Sequence, residues 1–214
     1  MRSVAFMMLK AQGEASPWVQ RHLQHRLATA SEKACLMDWA CGAGRHSLLA
    51  LARGWEVFAL DQDEQALASL RESADARAHG GRLHCLRIDL EGQDSMGEVA
   101  RALSIHGVDQ VSAIVVCNYL HRRSWIGMLE CLAPGGSLIY ETFAQGHEQL
   151  GRPRRAAFLL QPGELLAKAQ ACHLAIMAYE DVVDVNEQGE PVARMQRLYA
   201  RKPGLASSGH LWLS

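Results

Sequence analysis

The chain has 214 residues, with 22 basic and 23 acidic side chains and a formal net charge of −1. That length fits one domain, able to bury about 70% of the surface its extended chain would expose. The near-neutral balance excludes a global field that would draw the protein to nucleic acid or to an anionic membrane.

Ser16 and Pro17 read as an N-cap and first helical position, opening a helix through Trp18, Val19, Leu23 and Leu27 that closes an N-terminal extension over 1–30. Strands are predicted at 34–39, 56–61, 83–89, 111–117 and 137–143, alternating with helices at 44–53, 63–78, 94–105, 122–132 and 162–172. Leu48, Leu51 and Ala52 recur at helical spacing in the first of these helices. Leu67, Leu70 and Ala74 form a stripe in the second, and Trp125, Met128, Leu129 and Leu132 form one in the fourth. Strict alternation with continuous apolar strands predicts an α/β fold, a doubly wound Rossmann-like sheet covered on both faces. The end of the chain departs from this pattern. Residues 174–183 and 192–201 flank the turn sequence NEQGEP with no helix between them, so they pair as a hairpin and bring one antiparallel strand into a mostly parallel sheet. Residues 203–214 read as a surface tail of this single domain.

The chemistry concentrates at residues 36–61, LMDWACGAGRHSLLALARGWEVFALD. A strand that runs into a glycine turn places backbone N–H groups and a helix N-terminus beside an approaching ligand, and Gly42 and Gly44 leave room for that approach. Asp61 ends the next strand 17 residues past Gly44, where an acid can accept both hydroxyls of a ribose. A dinucleotide could use the same grip, which keeps an NAD(P)-dependent oxidoreductase, or a cofactor-binding protein without catalysis, as alternatives. Asp38 directly before the turn and the closing hairpin argue against the dinucleotide.

Together DWACGAG, Asp61, Asp89 with Leu90, the fourth-strand ending CNYLH, LAPGG and the closing hairpin resemble the class I S-adenosylmethionine-dependent methyltransferases over about residues 30–202. The stretches SPWVQRHL, YETF and GRPRRAAFLLQPGEL are similar to bacterial members labelled tellurite-resistance-type methyltransferases. The resemblance implies S-adenosylmethionine as cofactor and methyl transfer to a small-molecule acceptor by in-line displacement. It also implies that Asp38 and the backbone of Ala40, Cys41, Gly42 and Gly44 hold the methionine end. Asp61 would bind the ribose, Asp89 the adenine amino group with Leu90 against the ring, and Asn118 and Tyr119 would lie beside the methyl. The family's first turn glycine is Ala40 here, whose methyl fits if that backbone keeps a negative φ. Each assignment has a plainer reading: Asp89 as a helix cap, Asn118 as a turn residue, Asp38 as a structural acid.

Methyl transfer needs alignment more than a nucleophile, and a base only for some acceptors. Tyr119, His121 and Glu141, at strand ends, are the candidates. In the loop FAQGHEQLGRPRRAAF, Phe143 and the arginines Arg154 and Arg155 are candidate acceptor contacts, because guanidinium groups grip carboxylate or phosphate at two points. Ten histidines without an HxxxH or HxH pair argue against a metal, and six cysteines without a CxxC pair read as small buried thiols. No stretch approaches the roughly 18 apolar residues of a membrane span and no signal peptide is evident, so a soluble cytoplasmic protein, monomer or homodimer, is expected. Arginines near the C-terminus suit an edge strand better than a nucleic-acid surface.

Overall fold

The computed structural model describes residues 13–24, 35–79 and 81–204. Helix α1 (Pro17–Gln24) precedes β1 (Cys35–Trp39), α2 (Arg45–Ala52), β2 (Glu56–Asp61), α3 (Glu64–Glu72), α4 (Ala74–Ala78) and β3 (Leu83–Arg87). Then come α5 (Ser95–Ile105), β4 (Val111–Cys117), α6 (Trp125–Glu130) and β5 (Leu132–Phe143). Two 3-10 turns, His147–Gln149 and Ala156–Phe158, lead into α7 (Glu164–Ala171), β6 (Ala175–Val185) and β7 (Pro191–Arg201).

The seven strands form one sheet in the order β3-β2-β1-β4-β5-β7-β6. Strands β1 to β5 pair in parallel, and β7 runs antiparallel to both β5 and β6, as the hairpin sequence requires. From β1 the chain winds outward to β2 and β3, then returns to the other side of β1 with β4. The carboxyl ends of strands at such a reversal open a crevice for ligands.

Alternation along the strands sends side chains to two cores. Met37, Phe58, Ile114, Val116, Leu138 and Tyr140 pack in a cluster with α5, α6 and α7 residues such as Val99, Trp125 and Leu165. Their neighbours Leu36, Val57, Ala113, Val115 and Ile139 pack with Trp18 and Val19 of α1 and Leu51 of α2. The sheet is therefore covered on both faces. Trp125, Met128, Leu129, Leu132, Leu67 and Leu70 are all buried as their spacing predicts; Leu27, the side chain of Ala74 and the tail beyond 204 lie outside the described residues.

Three local expectations change. The helix predicted at 63–78 breaks at Ser73, whose extended backbone and hydroxyl cap a second helix by accepting the Ala76 N–H at 3.1 Å. The helix at 122–132 is shorter, and β5 begins already at Leu132, bulging so that Val111 faces Leu132 while Ala113 faces Ser137. The inward face of α2 is His46, Ser47, Ala50 and Leu51, with Ala52 exposed. Polar inward groups turn the helix this way because both find partners inside, Ser47 at Asp38 and His46 at the Ser16 N–H. None of the six cysteines forms a disulfide, as expected of thiols, but only Cys35 and Cys41 are buried. Among the described residues no helix is long and apolar enough to cross a membrane.

The two turn glycines differ in a way that stability measurements resolve. Both have positive φ, but a Cβ on Gly44 would lie 2.5 Å from Leu70 of α3, whereas one on Gly42 would meet nothing within 4 Å. Gly42→Ala is expected to cost about 1–2 kcal/mol through backbone strain alone. Gly44→Ala adds displacement of Leu70, for a total of about 3 kcal/mol or more. Urea unfolding of the pair checks this, and equal losses would remove the packing role given to Gly44.

Candidate active site

The turn leaving β1 shapes the site. Ala40, Gly42 and Gly44 all adopt left-handed backbone, with φ of 57°, 54° and 79°. Ala40 thus departs from the negative φ that its methyl group would favour, a conformation that costs roughly 1–2 kcal/mol for a residue with a Cβ. The bonds around it enforce the turn. The Cys41 N–H donates to Leu60 O at 2.9 Å, prolonging the β1–β2 pairing, and the Gly42 N–H donates to Asp61 Oδ2 at 2.7 Å.

Around the strand tips lies a cavity of about 250 Å³ lined by Ala40, Asp61, Asp89, Leu90, Asn118 and Tyr119. Six of the residues singled out in the sequence therefore meet in one place. Gln62, Ile88 and Glu91 join them; their one sequence signal is adjacency to the two acids. Asp61 receives one backbone N–H on each oxygen, from Gly42 and from Asp63 at 2.9 Å, which leaves lone pairs for a ligand. Asp89 accepts the Glu91 N–H at 3.0 Å and does not cap the following helix, whose N-cap is Asp94. Asn118 is a turn residue as well as a lining one: its φ is 57° and its N–H donates to Glu141 O at 2.9 Å. Cys41 and Gly42 stand behind the cavity, Cys41 packing toward Leu67 and Leu70 and Gly42 bracing Asp61.

A second hollow, of about 320 Å³, shares Asn118 and adds Arg45, Glu141, Phe143 and Arg197. Glu141 is committed there, with Oε2 accepting Arg197 Nε at 3.1 Å and Oε1 accepting the Cys117 thiol at 3.0 Å. Arg45 donates to the same sulfur at 3.2 Å. Burial opposes the Arg197 charge, yet Asp184 and Glu141 hold it well above the usual arginine range. The carboxylate considered as a base is thus the counter-ion of a half-buried arginine, which sequence reasoning missed because the pairing depends on the register of β7.

A third hollow, of about 270 Å³, shares Glu91, Asn118 and Tyr119 with the first and adds Leu120, Thr142, Phe143, Pro153 and Phe158. Its outer wall is pinned. Arg122 donates to both Glu164 carboxylate oxygens at 2.7 and 2.8 Å, to Ala157 O at 2.7 Å and to Leu159 O at 2.9 Å. His147 stacks on Phe143, donates from Nε2 to Arg152 O at 2.8 Å and takes the Arg194 N–H on Nδ1 at 3.4 Å. The Tyr119 hydroxyl is buried without a hydrogen-bond partner among the described residues. Burial, with Glu91 and Asp89 nearby, pushes its pKa up, so it stays protonated. Phe143 lines this hollow, whereas Arg154 and Arg155 line a separate one that touches it through Pro153 and Phe158. His121 lines none of the three hollows, and its Nδ1 is buried without a partner among the described residues. The described residues contain no cluster of three or more His, Cys, Asp or Glu able to hold a metal ion.

No family model matches the sequence, and no curated protein is similar enough to establish a relationship. Solved structures share the architecture. TehB from Haemophilus influenzae superposes with a TM-score of 0.64 at 17% identity over 88% of this chain, which spans 62% of the TehB chain. A SAM-dependent methyltransferase from Methanosarcina mazei gives 0.60 at 15% identity, over 90% of this chain and 100% of that one. The 1,6-didemethyltoxoflavin N1-methyltransferase of Burkholderia thailandensis, solved with 1,6-didemethyltoxoflavin and S-adenosylhomocysteine, gives 0.60 at 16%, over 92% and 81%. The fold is that of a class I methyltransferase.

Within the methyltransferase fold, Asp38 lies beneath the turn rather than in the cavity wall. It is 1% exposed and accepts the Ser47 hydroxyl at 2.6 Å. Burial pushes its pKa up to about 6, against the opposing hydrogen bonds from Ser47. His46 beside it is driven down to about 3 by burial and by Arg45, so its neutral ring accepts the Ser16 N–H at 3.2 Å. Folded Asp38 holds its proton more tightly than the unfolded chain does. Its contribution to stability is therefore complete below about pH 3.8 and is lost as pH rises through about 6. A shift of that size corresponds to about 3 kcal/mol. Relative to wild type, Asp38→Asn is expected to gain up to about that amount between pH 4 and 7. Urea titrations across this range test it, and a pH-independent difference would contradict the raised pKa.

Proposed function

We propose that this protein transfers the methyl group of S-adenosylmethionine to a small-molecule acceptor. The observation that carries the reading is the continuity of two hollows: the cavity at the tips of β1 to β4 and the Phe143 hollow share Glu91, Asn118 and Tyr119. A group-transfer site needs two pockets meeting at the reacting atoms.

The residues fit the cofactor. Asp61 retains lone pairs for ribose hydroxyls, Asp89 can accept from the adenine amino group, and Ile88 and Leu90 offer apolar contact to the ring. The Tyr119 hydroxyl is buried with no hydrogen bond of ordinary length, only the Glu91 carboxylate nearby, and so can turn to a ligand that completes its bonding. S-adenosylmethionine supplies an electrophilic methyl group carried on a sulfonium. Asn118, common to all three hollows, orients groups at their junction, and Phe143, Leu120 and Phe158 keep water from the acceptor. Catalysis in this reading comes from placement, because Glu141 is held by Arg197 and the Tyr119 hydroxyl keeps its proton. A cytoplasmic enzyme acting on a soluble acceptor follows from the same reading.

Thermal-shift measurements with S-adenosylmethionine, S-adenosylhomocysteine, NAD and NADP test it. The first two are expected to raise the melting temperature by mass action and the last two to leave it unchanged. Stabilisation by a nicotinamide cofactor alone would overturn the reading. Asp61→Ala is expected to weaken S-adenosylhomocysteine binding by about 1–3 kcal/mol, the loss of hydrogen bonds to a charged acceptor, as read by calorimetry on the folded variant.

A further inference from the structure

The charges around the acceptor hollow do not match the arginine-rich loop that runs beside it. No lysine or arginine lines this hollow or the cavity it joins, whereas Asp61, Asp89 and Glu91 line the pair. The nearby arginines are either spent or outside: Arg122 is engaged by Glu164 and two carbonyls, and Arg154 and Arg155 face the neighbouring hollow. Two of the three acids already accept backbone N–H groups through their carboxylates. Glu91 borders both hollows and enters no ion pair among the described residues; its one close polar neighbour there is the Tyr119 hydroxyl, a neutral donor that leaves its charge uncompensated. The rest of the lining is mostly aromatic and apolar, with Phe143, Phe158, Tyr119, Leu120 and Pro153, and its other polar members, Asn118 and Thr142, are uncharged.

From this juxtaposition we infer that the acceptor hollow takes a small aromatic molecule bearing an ammonium or comparable N–H donor, with the ring between Phe143 and Phe158 and the donor on Glu91. This rests on the methyl-transfer reading, which assigns the adjoining cavity to the cofactor. Three physical terms favour such a ligand. A volume of about 270 Å³ holds one or two fused rings with a short side chain. Ring faces attract cations as well as other rings. An anionic ligand would meet carboxylates at both hollows with no cation to offset them. Because Glu91 is exposed, its contribution is that of a solvent-screened charge, so the expected discrimination is moderate.

Ligand-observed NMR titrations on protein saturated with S-adenosylhomocysteine, using phenethylamine, 2-phenylethanol and phenylacetate, test the inference. The amine is expected to bind about fivefold more tightly than the alcohol, and the carboxylate more weakly than either. Glu91→Gln is expected to bring amine and alcohol within about twofold of each other, while Phe158→Ala weakens both together. Binding of none of the three, tightest binding of phenylacetate, or an amine preference that survives Glu91→Gln each overturns it. Failure of S-adenosylhomocysteine to bind at the outset would instead overturn the methyl-transfer reading.

Discussion

The left-handed turn at the tip of β1 is the constraint on which the site depends. β1 lies where the strand order reverses, so its next few residues border every ligand that enters the crevice. Turning there through three left-handed residues lets Cys41 reach Leu60 and Gly42 reach Asp61. Gly44, lacking a Cβ, lets Leu70 of α3 pack against the start of α2. Two residues into that helix, Ser47 returns to Asp38 at 2.6 Å. The acid of β1 thus fastens the turn from below while the acid of β2 is fastened by it from above. Strain at Ala40 persists because these surrounding bonds determine its conformation several times over.

The other side of the crevice depends on charge. Pairing of β7 with both β5 and β6 puts Arg197 opposite Glu141 on one side and Glu180 on the other. Such cross-strand partners, with Asp184, satisfy a guanidinium that is only 17% exposed. A half-buried arginine without them would be strongly destabilising. Antiparallel β7 is therefore more than a closing flourish of the topology, since it delivers the cation that holds Glu141, and Glu141 in turn holds Cys117 beside Arg45. The carboxylate is consumed by structure.

What was legible in the sequence follows from this division. The alternation of elements, the hairpin and the place of Asp61 could be read because each follows from a short local pattern, whereas Asp89, Asn118 and Tyr119 were placed beside it by the resemblance to the methyltransferase family; all four line one cavity. The role of Asp38 could not be: the same acid serves a ligand or a helix depending on whether Ser47 faces inward, and the apolar spacing pointed to a different face of α2. Pairing of Glu141 required the register between strands 56 positions apart in the chain. Arg154 and Arg155 were conspicuous by charge and Glu91 was not, yet the path of an irregular loop put the arginines outside the hollow and the glutamate in its wall.

That loop is held differently from the rest of the site. The first cavity is built from strand tips, where main-chain pairing fixes position. The segment between β5 and α7 keeps some of that pairing, with the Gln145 N–H on Leu160 O at 2.9 Å and the Leu160 N–H on Phe143 O at 3.0 Å, and is held in addition by side chains reaching its carbonyls: Arg122 at Ala157 and Leu159, His147 at Arg152, and the fully buried Gln196 at Gln161. Gln196 also accepts the Leu165 N–H at 3.0 Å, tying the wall to the first turn of α7. Such anchoring preorganises the hollow while leaving most of the segment spanned by the Ala144–Leu160 bridge outside the sheet, so its shape can change by exchanging a few loop residues while the strand tips stay as they are. The strand-tip geometry is thus set by the sheet, and the shape of the Phe143 hollow by a segment whose regular structure is limited to two 3-10 turns and the Ala144–Leu160 bridge.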